Sequence, residues 1–168
     1  NLNAKENIMI LKLKDGNVEI ELFDKIAPKH VDRIKKLAEE GKYDNVVFHR
    51  VIDGFMAQTG DVQFGNTSNS NFNLDRAGMG GSNLPDLDAE FSDLPHLRGT
   101  LSMARSSDPN SANSQFFICF DDAPHLDRNY TVFGKVTKGM EFVDNIKRGT
   151  GPNGSVTDPD KIISFKSK

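Results

Sequence analysis

The chain has 168 residues, enough for one domain with a sizeable core. Its net charge is −3, so the basic stripe that a nucleic-acid partner requires is missing. No apolar run reaches the ~18 residues of a membrane span, and a single cysteine, Cys119, excludes an internal disulfide. Twelve Phe stand against two Tyr and no Trp, which predicts a core and a pocket lined by rings without a polar handle. Cys119 lies in the run Phe116 to Phe120 and reads as a small buried hydrophobe, since no histidine or helix N-terminus adjoins it. The sequence begins at Asn1, which is consistent with a removed leader or a trimmed terminus.

Residues 8–14 and 17–23 alternate apolar and polar positions on either side of Asp15-Gly16, a hairpin signal. Pro28 opens a helix whose apolar positions Val31, Ile34, Leu37 and Ala38 repeat at three and four residues, and Gly41 ends it. Residues 46–52 and 55–58 read as strands broken at Asp53-Gly54. From 61 to 98 the pattern becomes a long irregular region rich in Asn and Gly, a kind of loop that is often functional. Three further strands are expected over 99–103, 115–120 and 131–136. Met140, Phe142, Val143 and Ile146 predict a second helix closed by Gly149, and 162–165 a last strand. Many short strands with two helices fit one domain, 1–168, built as a closed antiparallel barrel capped by helices, with residues 1–7 as an N-terminal extension.

Two segments carry the chemistry. FHRVIDGFMAQTGD (Phe48 to Asp61) and LSMARSSDPNSANSQFFICF (Leu101 to Phe120) set Arg50, Gln58 and Gln115 among Phe55, Met56, Phe116 and Phe117. An apolar wall with a few fixed donors is the make-up of a small-ligand or peptide site. No nucleophile elbow, phosphate loop or metal-ligand spacing accompanies it. Ser106 and Ser107 have no base beside them and no GxSxG elbow. The acidic residues Asp86, Asp88 and Glu90 lack the glycine and spacing of a calcium loop and read as a solvated loop.

These segments, with LSMA (Leu101 to Ala104), NSQFFI (Asn113 to Ile118) and VFGKV (Val132 to Val136), resemble the cyclophilins, the cyclosporin-binding peptidyl-prolyl cis-trans isomerases. The resemblance runs from about Ile8 to Phe165 and looks closest to bacterial single-domain members. It implies an eight-stranded antiparallel barrel capped by two helices. It implies Arg50 as the catalytic cation and Phe55, Met56, Phe117 and Leu126 as the proline pocket. Gln58 and Gln115 are implied as side-chain hydrogen-bonding groups, and Ala104 and Arg105 as neighbours of the substrate backbone. His49, His125 and Tyr130 fall on the rim.

The best-studied members carry tryptophan, histidine and asparagine where this chain has His125, Tyr130 and Arg105. The resemblance implies that the Arg105 contact is mainly main-chain, so peptide binding survives it, while His125 in place of the tryptophan implies weak cyclosporin binding. The family also implies a monomer without metal or cofactor. Its partners would be proline-containing peptides and unfolded or nascent proteins, not nucleic acid or membrane. For a bacterial-type member the expected compartment is cytoplasm or periplasm. Two alternatives remain at this stage. One is a proline-peptide binding module or chaperone of the same fold without turnover. The other is a hydrolase using His49, Asp61 and a serine.

Overall fold

The computed structural model describes residues 7–168, so the predicted extension over 1–7 lies, Asn7 apart, outside the described residues. The sheet holds eight strands: β1 (Ile8–Leu13), β2 (Gly16–Leu22), β3 (Arg50–Ile52), β4 (Met56–Thr59), β5 (Thr100–Met103), β6 (Phe116–Cys119), β7 (Val132–Lys138) and β8 (Ser164–Ser167). Two α-helices join them among the described residues, α1 (Pro28–Glu39) and α2 (Met140–Asp144), with a 3₁₀ turn at Pro124–Leu126.

The strand order is β3-β4-β6-β5-β7-β2-β1-β8, and the pairings are antiparallel. The closed barrel expected from the sequence is in fact an open, curled half-barrel, because β3 and β8 share no ladder. The segment from Gly154 to Ile162 fills the seam instead. Val51 donates to the Gly154 carbonyl (2.9 Å), Phe48 to Asp160 (2.8 Å), and Ile162 to Val46 (2.9 Å). On the other side Ile163 donates to Lys12 (2.9 Å). A β3 of only three residues offers too few groups for a continuous ladder, and Pro159 in the seam has no N–H to give.

Strand alternation splits the apolar residues of β4 and β6 between two clusters. Ala57, Phe116 and Ile118 point into the main core, while Met56, Phe117 and Cys119 point to the opposite face and pack with Ala123 and Leu126. Phe116 anchors the core, edge-on to Tyr43 (5.5 Å) and to Phe133 (5.9 Å). Cys119 is the buried hydrophobe its neighbours predict, and burial pushes its thiol up to about 12.

Four local expectations shift. The last strand starts at Ser164, two residues late, since Ile162 and Ile163 bond into the seam. Val46 and Val47 form isolated bridges, and the strand proper begins at Arg50. Helix α2 stops at Asp144, not near Gly149, where Arg148 Nη1 takes the carbonyls of Asp144 and Ile146. The acidic residues 86–90 are not simply a solvated loop. Helix α1 has no local side-chain cap, and Glu90 supplies one from a distance. Its Oε1 accepts from His30 N (3.0 Å) and His30 Nδ1 (2.6 Å), and its Oε2 from Lys29 N (3.3 Å). A carboxylate there also faces the positive end of the helix dipole.

The stretch 61–98 contains no named strand or helix, as its composition implies. Its asparagines have a local structural task. Asn66, Asn69 and Asn73 each accept, through Oδ1, from the N–H two residues on (2.9, 2.9 and 3.0 Å), opening successive turns.

Candidate functional site

Sheet register places the site. Arg50 on β3 stands opposite Gln58 on β4, and Gln58 opposite Phe117 on β6. The three therefore form a row on the face turned away from the main core. Beside the row lies an open groove of about 750 Å³. Its apolar wall is Phe55, Met56, Phe117 and Leu126, with Ala104, Arg105, Tyr130 and His49 also lining it. Ten of the twelve residues singled out from the sequence thus line one groove. Gln115 sits behind Gln58, lining an adjoining hollow. His125, exposed, packs its ring against Phe55 at 5.3 Å.

Arg50 is half-buried and fixed from two sides. Nη1 donates to Gln58 Oε1 (3.1 Å) and Nε to the carbonyl of Asn153 (3.0 Å). No carboxylate lies within 4.0 Å of its guanidinium among the described residues. Because guanidinium only donates, Gln58 must turn its oxygen to Arg50. Its Nε2 then donates to Gln115 Oε1 (3.1 Å), and Gln115 Nε2 donates to the carbonyls of Gly78 (2.9 Å) and Gly80 (2.8 Å). The relay fixes both amide orientations without ambiguity.

The relay ends on a loop built around Asp61, whose side chain is fully buried. Its Oδ1 accepts from Gln63 N (3.0 Å) and Phe64 N (2.9 Å), and its Oδ2 from Gly78 N (2.8 Å) and Gly80 N (3.0 Å). A Cβ on Gly80 would stand 2.5 Å from Asp61 Oδ1, so glycine is what lets the loop close on the carboxylate. The sequence did not single out Asp61 for this task, nor Asn153. Asp61 carries a local signal, an Asx turn two residues after β4. Asn153 acts through its carbonyl, which no sequence pattern reports.

His49 is buried, its ring against Gly78. Its pKa is lowered to about 4, chiefly by desolvation, with Asp61 opposing the shift and the nearby Arg50 charge adding to it. It is therefore neutral at pH 7. The folded pKa lies below the unfolded value of about 6.5, so between pH 4 and 6.5 the unfolded chain binds more protons and stability rises with pH. Desolvation lowers His30 and His96 as well, with the same sign. Urea unfolding is expected to show a loss of about 2 kcal/mol from His49 between pH 7.5 and 5, and His49→Gln should flatten the slope by that share. An unchanged slope in the variant would contradict this assignment.

A second polar row, Ser102–His96–Asp127, has the order of a hydrolytic triad. His96 Nε2 lies 2.9 Å from Ser102 Oγ and Nδ1 lies 3.0 Å from Asp127 Oδ1. Ser102 is fully buried, however, and lines neither the groove nor the adjoining hollow. The row supports the wall from behind, with the His96 ring stacked on Phe117 at 6.2 Å. The other hydrolase combination fares no better, since both oxygens of Asp61 are occupied by backbone N–H groups.

Residues 8–167 match the model of the cyclophilin type peptidyl-prolyl cis-trans isomerase family. A probable peptidyl-prolyl cis-trans isomerase of Brucella suis is 63% identical over 159 residues, covering 94% of this chain and 81% of that one. A peptidyl-prolyl cis-trans isomerase of Helicobacter pylori is 41% identical, covering 87% and 83%. Among solved structures, a cyclophilin type isomerase of Cryptosporidium parvum, crystallised in the presence of the dipeptide Ala-Pro, aligns with TM-score 0.81. It is 29% identical, covering 96% of this chain and 98% of that one.

Proposed function

The chain belongs to the cyclophilin-type peptidyl-prolyl cis-trans isomerases, and we propose that it accelerates rotation about X-Pro bonds in peptides and unfolded or nascent proteins, with Arg50 as the catalytic group. The observation that carries the assignment of Arg50 is a guanidinium without a carboxylate partner, held beside the apolar wall of Phe55, Met56, Phe117 and Leu126.

Rotation must break amide resonance, against a barrier of ~18–20 kcal/mol. In the twisted state the proline nitrogen becomes pyramidal, and its localised lone pair becomes a strong hydrogen-bond acceptor. Arg50 uses two of its five N–H donors on Gln58 and Asn153, which leaves three for the substrate. A donor fixed before the twist develops binds the transition state more tightly than either planar isomer. Phe55, Met56, Phe117 and Leu126 would hold the pyrrolidine ring while the acyl group swings. Excluding water helps, because water favours the polar planar amide. No covalent intermediate and no proton transfer enter.

A coupled isomerisation assay on a short X-Pro peptide tests the reading, with the Arg50 variants treated in the Discussion. A pure binding module of the same fold would hold the peptide without turnover. Cyclosporin gives a second test. The resemblance places a tryptophan where His125 packs on Phe55. The smaller imidazole covers less apolar area, and a lost donor adds to the deficit, together about 1–2 kcal/mol. Inhibition should therefore be weaker by a factor on the order of ten to a hundred than in His125→Trp, while peptide turnover changes little. Equal inhibition of both forms would remove His125 from the rim.

A further inference from the structure

Arg105 is a cation of the groove without a counter-charge. It lines both the groove and the adjoining hollow of about 410 Å³, at the ridge where they meet. Nε and Nη2 donate to the Asn129 carbonyl (3.2 and 2.6 Å), and Nη1 donates to the Ser106 carbonyl (2.9 Å). Its guanidinium lies 4.5 Å from the centre of the Tyr130 ring. Tyr130 in turn stands edge-on to Phe117 at 6.0 Å, so the cation is one ring away from the apolar wall. Carbonyls and a ring fix its orientation without neutralising it.

The chain's net charge is −3 and it has 24 acidic residues, yet no carboxylate lies within 4.0 Å of Arg105 among the described residues. Arg98, Arg128 and Arg148 all have acidic partners. Arg50 and Arg105, the arginines of the groove, have none, and neither do Arg33, held by the Asn113 and Pro85 carbonyls, and Arg76, over the Phe64 ring. One carboxylate, Asp75, shares the groove lining, and Asp86 in the hollow is already hydrogen-bonded by Asn113 Nδ2 (3.0 Å). Two preoriented cations line the groove against one carboxylate, Asp75, with Asp86 a second in the hollow, so the balance within the groove favours an anionic peptide.

We propose that Arg105 is a specificity-determining residue that selects peptides carrying an acidic side chain beside the isomerised proline. The proposal rests on the isomerase reading of the same groove. Three of the five guanidinium donors are engaged, so two remain for a carboxylate, enough for a forked contact. Because the side chain is already ordered, little rotamer freedom is lost when the carboxylate binds. The pair stays half-exposed, so the gain is moderate and falls with salt.

The test is an isomerisation assay on a peptide panel. Glu, Gln or Lys is set in turn at each of the two positions before proline and at the one after it. At one or more positions kcat/KM is expected to favour Glu over Gln by about threefold and over Lys by about tenfold at low salt. The ratios should shrink toward one at 0.5 M salt. Arg105→Gln should bring them within about twofold of one. A parent that turns over the whole panel without preference overturns the proposal, as does a preference that survives Arg105→Gln. No turnover of any peptide would instead overturn the isomerase reading itself.

Discussion

Arg50→Ala is expected to lower kcat/KM by at least about a hundredfold while thermal unfolding stays close to that of the parent. Loss of one preorganised donor costs ~3–4 kcal/mol in the barrier. Gln58 and the Asn153 carbonyl lose a partner but lie at an open groove where water replaces it, so the fold is little affected. Arg50→Lys should fail nearly as badly. An ammonium cannot span Gln58, the Asn153 carbonyl and the substrate nitrogen together. Retention of more than about a third of the rate in Arg50→Ala, a barrier change under ~1 kcal/mol, would remove Arg50 from the mechanism. The rate should also be nearly flat from pH 6 to 8, since arginine does not titrate there and burial holds His49 neutral. A steep bell-shaped profile would point to a proton transfer that the groove gives no reason to expect.

The second large effect belongs to Asp61→Asn. The carboxylate satisfies four backbone N–H groups in a fully buried setting. An amide offers one oxygen, and its NH₂ would face two donors. Charge-assisted bonds of this kind are worth ~1.5–3 kcal/mol each, so the variant should lose about 3–5 kcal/mol of stability in urea unfolding. Turnover should fall as well, at temperatures where the variant is still folded. Gly78 and Gly80 would no longer be held, and their carbonyls seat Gln115, which orients Gln58 and through it Arg50. A drop of about tenfold or more in kcat/KM is expected. Gln115→Ala should reproduce most of the turnover loss at a much smaller stability loss. If Asp61→Asn unfolds more easily but its folded fraction turns over peptide at the parent rate, the loop does not position Arg50. A stability change under about 1 kcal/mol would show that the four bonds matter little.

Several features of the protein were legible in the sequence because they depend on local pattern. Alternation in 8–13 and 16–22 around a glycine turn specifies the first hairpin, and helical periodicity specifies α1. Phe55, Phe117 and both arginines of the groove sit within two short segments, so motif resemblance locates most of the site.

Other features depend on groups far apart in the chain. Seam closure by 154–162 is decided by backbone donors and acceptors on segments a hundred residues apart, and backbone groups leave no trace in residue identity. The same holds for the Asn153 carbonyl on Arg50. Glu90 reads as a solvated acid until it meets the uncapped end of α1, sixty residues before it. Asp61 reads as one more loop carboxylate until burial removes its water and four N–H groups replace it. Amino-acid identity thus determined which strands, helix and rings form, because propensity and alternation act over a few residues. Only the tertiary structure decided which polar groups are left without water, since desolvation depends on everything that packs around them.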